Sequence, residues 1–308
     1  MLFTRKIEDE KSWASLFGQK DCFKPLIEKI FAQNSLPVAD IENVNQSTNA
    51  VFRVGKSIIK IFRPKEAGAD ERDYPSELFG LARALSLGIS VPKILASGIL
   101  SDKYDFPYIV TEFMEGTVLK DLFAGMDADE KYAVGRKLRE ITDRLNTPCE
   151  PFNYIEYPLL NDGYDDWLRS LGYHQSFLDE RRKYLSSAEP DKYALVFCHG
   201  DLSPCNILYD SDGALHIIDF ACAILAPVCV EYGYFLFWFG FDKAFICGYF
   251  GETGIDELTE MCFCGFLHSI NGISLLANGS DYGFIDGKAC ESIEDFREQL
   301  RIYIQKSM

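Results

Sequence analysis

The sequence predicts an α+β chain in two lobes, a small one built on a mixed β-sheet and a larger, mainly helical one. Three observations predict it. With 308 residues, of which 47% are hydrophobic and 25% charged, the chain has apolar material for one large core or two modest ones. β-branched and aromatic runs with turn signals fill the first part, and after Met114-Glu115-Gly116 helical periodicity takes over. No internal repeat or low-complexity tract cuts across this change of pattern. The boundary is set between Phe113 and Met114, which gives lobes of residues 1–113 and 114–308.

The elements follow in order. Asn49 to Val54 and Ser57 to Phe62 are β-forming runs around Gly55-Lys56, which predicts a hairpin ended by Arg63-Pro64. A helix comes next: Ser76 stands at a capping position, Leu78, Leu81, Ala82 and Leu85 recur at helical spacing, and Gly88 fits the closing position. Val91-Pro92 opens an extended segment, and Tyr108 to Phe113 suits a buried strand. In the second lobe Asp127-Ala128-Asp129-Glu130 has the form of a capping box, opening a helix to about Leu145. Two short strands, Asn206 to Tyr209 and Leu215 to Ile218, flank the tight turn Asp210-Ser211-Asp212-Gly213.

Charge narrows the partners. Lys plus Arg number 31 against 47 Asp plus Glu, a net charge of −16, which argues against nucleic acid or an anionic membrane as the main partner. A cationic ligand is favoured, although a merely solvated acidic surface explains the count equally well. The N-terminus meets acidic residues at once and carries no apolar signal region, so a cytoplasmic protein is expected. Ten scattered cysteines without a Cys-x-x-Cys pair fit reduced, buried thiols; Cys198, His199 and Cys205 make only a poor zinc set. Phe220 to Phe241 holds a single charge, Glu231, over a length that could span a bilayer. Pro227 within the run argues instead for a buried loop feeding a core helix.

The densest polar motif is His199-Gly200-Asp201-Leu202-Ser203-Pro204-Cys205-Asn206, followed beyond the hairpin by Ile217-Ile218-Asp219-Phe220. Apolar strands around these residues would bury the backbone and leave polar side chains at strand ends, where rigid positioning is available. Two carboxylates and an amide then converge. Such a set suits phosphoryl transfer: one carboxylate accepts the proton of an attacking hydroxyl, while the other carboxylate and the amide oxygen hold Mg2+ against a triphosphate. A lone buried histidine or an Asp-Leu-Ser-Pro turn would explain the parts singly, but not a second Asp placed beyond an Asp-Gly hairpin.

These residues resemble the small-molecule phosphotransferases typified by aminoglycoside phosphotransferases and choline kinases, whose signature is His-Gly-Asp-x-x-x-x-Asn and then an apolar strand ending in Asp-Phe or Asp-Trp. The resemblance implies a protein-kinase-like fold, with nucleotide bound by the first lobe and catalysis and acceptor binding in the second. It implies Asp201 as catalytic base, His199 as the residue that orients the catalytic loop, and Asn206 and Asp219 as Mg2+ ligands. Lys60, a costly cation within the apolar strand Ile58 to Phe62, would contact the α- and β-phosphates and be held by Glu77 on the first turn of the following helix. A snorkelling lysine and a dipole-favoured glutamate are the plainer alternatives. The glycine-free loop Asn45 to Asn49 would bring Ser47 and Thr48 near the phosphates. Glu112 and Met114 fall where the family's hinge pairs the base through its backbone, so ATP and GTP both remain open.

The expected activity is transfer of a γ-phosphate to a hydroxyl of a small cationic acceptor, an aminoglycoside first, which would make the chain an antibiotic-resistance kinase. Choline, other amino alcohols, sugars, and a catalytically silent nucleotide-binding module are the alternatives. A protein kinase is disfavoured, because Ala226-Pro227 follows Asp219 almost at once and leaves little room for a peptide platform. Where relatives carry Gly-Asp-Pro-x-x-Asp, this chain has Pro227 and a displaced acid, Glu231, which either caps a helix or meets substrate. Asp165, Asp166, Glu231 and Asp242 are candidates for holding a polyamine, and Tyr232, Trp238 and His268 for lining the same region; each also reads as surface, cap or core. A monomer or weak homodimer is expected, with no nucleic-acid or membrane partner.

Overall fold

The computed structural model describes residues 1–44, 48–152, 162–187, 194–269, 272–277 and 283–308. It has two compact units, Met1–Gly116 with His216–Cys222, and Thr117–Leu215 with Ala223–Met308. The expected α+β architecture is present.

In the first unit, helices α1 (Glu10–Ala14) and α2 (Lys20–Gln33) precede a five-stranded sheet of β1 (Ile41–Asn43), β2 (Ala50–Val54), β3 (Ser57–Ile61), β4 (Ile94–Ser101) and β5 (Asp105–Glu112). The strand order is β1-β2-β3-β5-β4, and every pair is antiparallel, so the sheet expected as mixed is not. The predicted hairpin forms with Gly55 at φ 61°, the left-handed turn position that favours glycine. One face of the sheet meets α1 and α2 through Phe3, Trp13, Phe23, Phe52 and Phe106, all essentially without exposure. Helix α3 (Asp73–Ser86) accompanies a second cluster of Phe62, Ile109 and Ala221, with Tyr74 and Leu78 against it. It starts a turn earlier than expected. Pro75 occupies the first turn, where a missing N–H costs nothing, and Ser76 is therefore a buried helical residue and not the cap. The helix closes as predicted, with Gly88 left-handed at φ 68°.

The second unit holds α4 (Leu119–Phe123), α5 (Ala128–Leu145), α6 (Asp162–Ser170) and α7 (Gln175–Ser187) before β7 (Leu195–Cys198). Asp127 and Glu130 form the predicted capping box of α5. A short turn of 3-10 helix, Pro204–Asn206, leads into β8 (Ile207–Tyr209), which pairs with β6 (Thr117–Val118); the strand thus excludes Asn206. After the Asp210–Gly213 turn, the chain runs along β9 (Leu215–Ile217) into the first unit. It returns as β10 (Ile224–Pro227), α8 (Val228–Trp238), α9 (Lys243–Phe250), α10 (Ile255–His268), α11 (Gly272–Leu276) and α12 (Ile293–Ser307).

The apolar run from Phe220 to Phe241 is therefore a strand and a helix, and not the expected loop and helix. Residues 224–227 pair with β7, and Pro227 at the strand's end lets the chain turn into α8. Among the described residues no helix is long and apolar enough to cross a membrane.

Candidate functional site

In the first unit Lys60 sits mid-strand on β3, opposite Val51 and Ile109, and is 8% exposed. A cation so placed needs partners, and it has two. Its Nζ donates to Glu77 Oε2 at 3.1 Å and to Asp219 Oδ1 at 2.7 Å. Because α3 starts at Asp73, Glu77 lies on the second turn and not the expected first, on the buried face of the helix, 5% exposed. Burial alone would lower the pKa of Lys60, but the Asp219 and Glu77 carboxylates raise it above its usual value, so the ammonium form is held. Glu77 moves the other way for an acid: burial lifts it to about 7 against the pull of Lys60, with Asp219 adding repulsion.

The segment carrying Asp219 is fixed within the same unit. Ser90 Oγ and His216 Nδ1 lie 2.7 Å apart, and Ile217 N donates to Ser90 O at 3.0 Å. Asp219 itself has φ 64°, an uncommon conformation for a residue with a side chain and one that a surrounding structure must enforce. Phe220 supplies part of that enforcement. Its side chain lies so close over α3 that a Cβ added at Gly80 would stand 2.5 Å from Phe220 Cβ.

In the second unit β7 delivers His199-Gly200-Asp201, with Gly200 left-handed at φ 80°. His199 is fully buried, and its Nδ1 accepts from the Asp201 backbone N at 3.3 Å. Asn206 Nδ2 donates twice to Asp201, to the backbone O at 2.8 Å and to Oδ2 at 2.9 Å. Both bonds use the amide nitrogen, so the amide oxygen is chemically suited to a hard cation.

Glu231, the sole charge in its apolar run, settles under this loop. It is on α8, 0% exposed, and its Oε2 accepts from the His199 backbone N. Asn146, the residue that ends α5, donates through Nδ2 to Phe197 O at 2.9 Å and to Glu231 Oε2 at 3.4 Å. Burial raises the Glu231 pKa to about 7, partly offset by the His199 N–H. Sequence reasoning missed Asn146 altogether, and nothing in its neighbourhood marks it.

Residues 41–263 match the family model described as the phosphotransferase enzyme family, APH. That span is well over half of the chain. The chain belongs to this phosphotransferase family. Solved structures with similar folds include APH(2″)-IIia in its GDP and kanamycin complex, at 18% identity and a TM-score of 0.55, over 92% of this chain and 95% of that one. A choline/ethanolamine kinase family protein from Mesorhizobium loti is similar at 18% identity and a TM-score of 0.54, over 92% and 99%. The amicoumacin kinase hAmiN, in complex with AMP-PNP, Ca2+ and Ami, is similar at 14% identity and a TM-score of 0.59, over 91% and 93%. No curated protein sequence matches.

The phosphotransferase places its other candidate residues as follows. Ser47 lies outside the described residues, and the Thr48 carbonyl accepts from Trp13 Nε1 at 2.8 Å. Glu112 ends β5, its N–H donating to Lys93 O at 3.0 Å, and Met114 lies two residues on, half-buried. The acidic acceptor candidates already have partners in their own chain. Asp165 is buried and bonds Arg182, with Arg181 at 3.9 Å; Asp166 bonds Arg169 at the surface; Asp242 caps α9 and pairs with Lys131 at 2.9 Å. Tyr232 packs edge-on to Phe235, Tyr249 and Phe250, and Trp238 edge-on to Phe237. His268 is buried, which lowers its pKa to about 4. Cys198 is buried while Cys205 is exposed, and among the described residues no group of three or more His, Cys, Asp or Glu could hold a metal ion.

Proposed function

We propose that this phosphotransferase moves the γ-phosphate of a nucleoside triphosphate, ATP or GTP, to a hydroxyl of a small cationic acceptor of the aminoglycoside class. The observation that carries the reading is the pair of hydrogen bonds that Asn206 Nδ2 donates to Asp201, to its backbone O and to Oδ2, which fixes one carboxylate in the loop after β7 that Glu231 anchors from below. In the proposed reaction the acceptor oxygen attacks the γ-phosphorus and gives its proton to the Asp201 carboxylate. The bond from that phosphorus to the bridging oxygen breaks, and the nucleoside diphosphate leaves. His199, fully buried and bonded through its backbone to Glu231, serves as a positioning residue and takes no proton.

Asn206 and Asp219 are the proposed Mg2+ ligands. Two oxygen donors suit this ion, which keeps several waters and completes its shell with phosphate oxygens. When bound it would neutralise charge on the triphosphate. Lys60, held charged by Glu77 and Asp219, is the proposed partner of the phosphates. The ranking of an aminoglycoside above choline or a neutral sugar rests on the net charge of −16 and on the family.

Incubation of the protein with labelled ATP or GTP, Mg2+ and a panel of aminoglycosides, choline, amino alcohols and sugars tests the proposal. Phosphorylated aminoglycoside is the expected product. Transfer to choline or a sugar alone would overturn the acceptor class, and nucleotide binding without turnover on any acceptor would overturn the kinase reading.

A further inference from the structure

We propose that Cys229 and Cys264 form a dithiol that a peroxide oxidises to an intramolecular disulfide, joining the first turn of α8 to α10. The two sulfur atoms lie 2.6 Å apart, both as thiols, across helices that meet backbone to backbone. A Cβ added at Gly265 would stand 2.1 Å from the Cys229 carbonyl oxygen, and one at Gly233 would stand 3.5 Å from Gly265 Cα. This close approach supplies the short reach a disulfide requires. Access comes from a cavity of about 440 Å³ whose lining includes Thr142, Asn146, Val196, Cys229 and Tyr232.

The reaction balances with the peroxide as the two-electron oxidant. The Cys229 sulfur attacks one peroxide oxygen, the O–O bond breaks, and a sulfenic acid and water form. The Cys264 sulfur then attacks the sulfenic sulfur, the S–S bond closes, and the hydroxyl leaves with the thiol proton as a second water. The bond would close two residues before Glu231 and so tie down the turn of α8 that carries the anchor of the His199 loop.

The test is peptide mapping of the full chain, reduced and then treated with hydrogen peroxide, with free thiols alkylated before non-reducing digestion. The expected result is a linked pair of peptides carrying Cys229 and Cys264, lighter by two hydrogen atoms, and lost on reduction. Cys229→Ser and Cys264→Ser should each abolish it, and Cys262→Ser should leave it intact. Full alkylation of both residues after peroxide has oxidised the exposed Cys205 and Cys222 would overturn the proposal, as would a link from Cys229 to Cys262.

Discussion

Replacing Glu231 with glutamine gives a change in pH dependence whose size follows from burial. The carboxyl is 0% exposed, and its pKa rises from 4.5 to about 7 because ionisation in the interior costs more than the His199 N–H returns. Between these values the native chain keeps a proton that the unfolded chain has released, so stability falls as pH rises through the window. The gap, at roughly 1.4 kcal/mol per pH unit, amounts to about 3 kcal/mol. The glutamine side chain keeps a carbonyl oxygen for the His199 N–H but has no proton to lose. Glu77, also raised to about 7, tilts both proteins alike and cancels in the difference. Whatever constant offset the amide introduces, the stability of Glu231→Gln relative to wild type should therefore climb by about 3 kcal/mol from pH about 4.5 to just above 7. Urea unfolding at a series of pH values measures this. Parallel stability curves across the window would mean that Glu231 titrates alike in both states and that its burial does not oppose ionisation.

Three further outcomes follow from the same contacts. Lys60→Met leaves the Glu77 and Asp219 carboxylates without the cation between them, so stability should fall by about 3 kcal/mol in urea unfolding near neutral pH; an unchanged midpoint would show that the two ion pairs contribute nothing. Gly80→Ala should destabilise by about 1–3 kcal/mol despite alanine's better helix propensity, because its Cβ meets the Phe220 side chain; thermal unfolding at equal or higher midpoint would contradict that packing. Asn146→Ala removes the donor to Phe197 O and Glu231 Oε2 and should cost roughly 1–3 kcal/mol in urea unfolding; an unchanged midpoint would show that neither bond contributes.

Much of this architecture is legible in the sequence because local chemistry and tertiary packing agree there. The Gly55-Lys56 hairpin and the Asp127/Glu130 capping box are local signals, and the fold uses both where they stand. Ser76 misleads because two start signals compete, and the proline at position 75 outweighs the serine; the one-turn shift moves Glu77 from the solvent-facing start of a helix into its packed middle. Within the site, Lys60 is legible as a cation that an apolar strand cannot hold alone. Glu231 carries the same signal in α8, but what it binds is a backbone N–H far along the chain, which no side-chain pattern records. Asn146 shows the limit most plainly. Its bonds go to a carbonyl and a carboxylate distant in sequence, and at the end of α5 it looks like any helix-terminating asparagine.

In the proposed reaction Asp201 accepts the proton of the attacking hydroxyl. The most direct test is product mass after wild type and Asp201→Ala are each incubated with Mg2+, nucleoside triphosphate and an aminoglycoside, alongside nucleotide binding measured by calorimetry. Wild type should add one phosphoryl group to the acceptor; the variant should bind nucleotide within a few-fold of wild type and transfer about 10²–10⁴-fold more slowly. Undiminished transfer by Asp201→Ala would contradict the account.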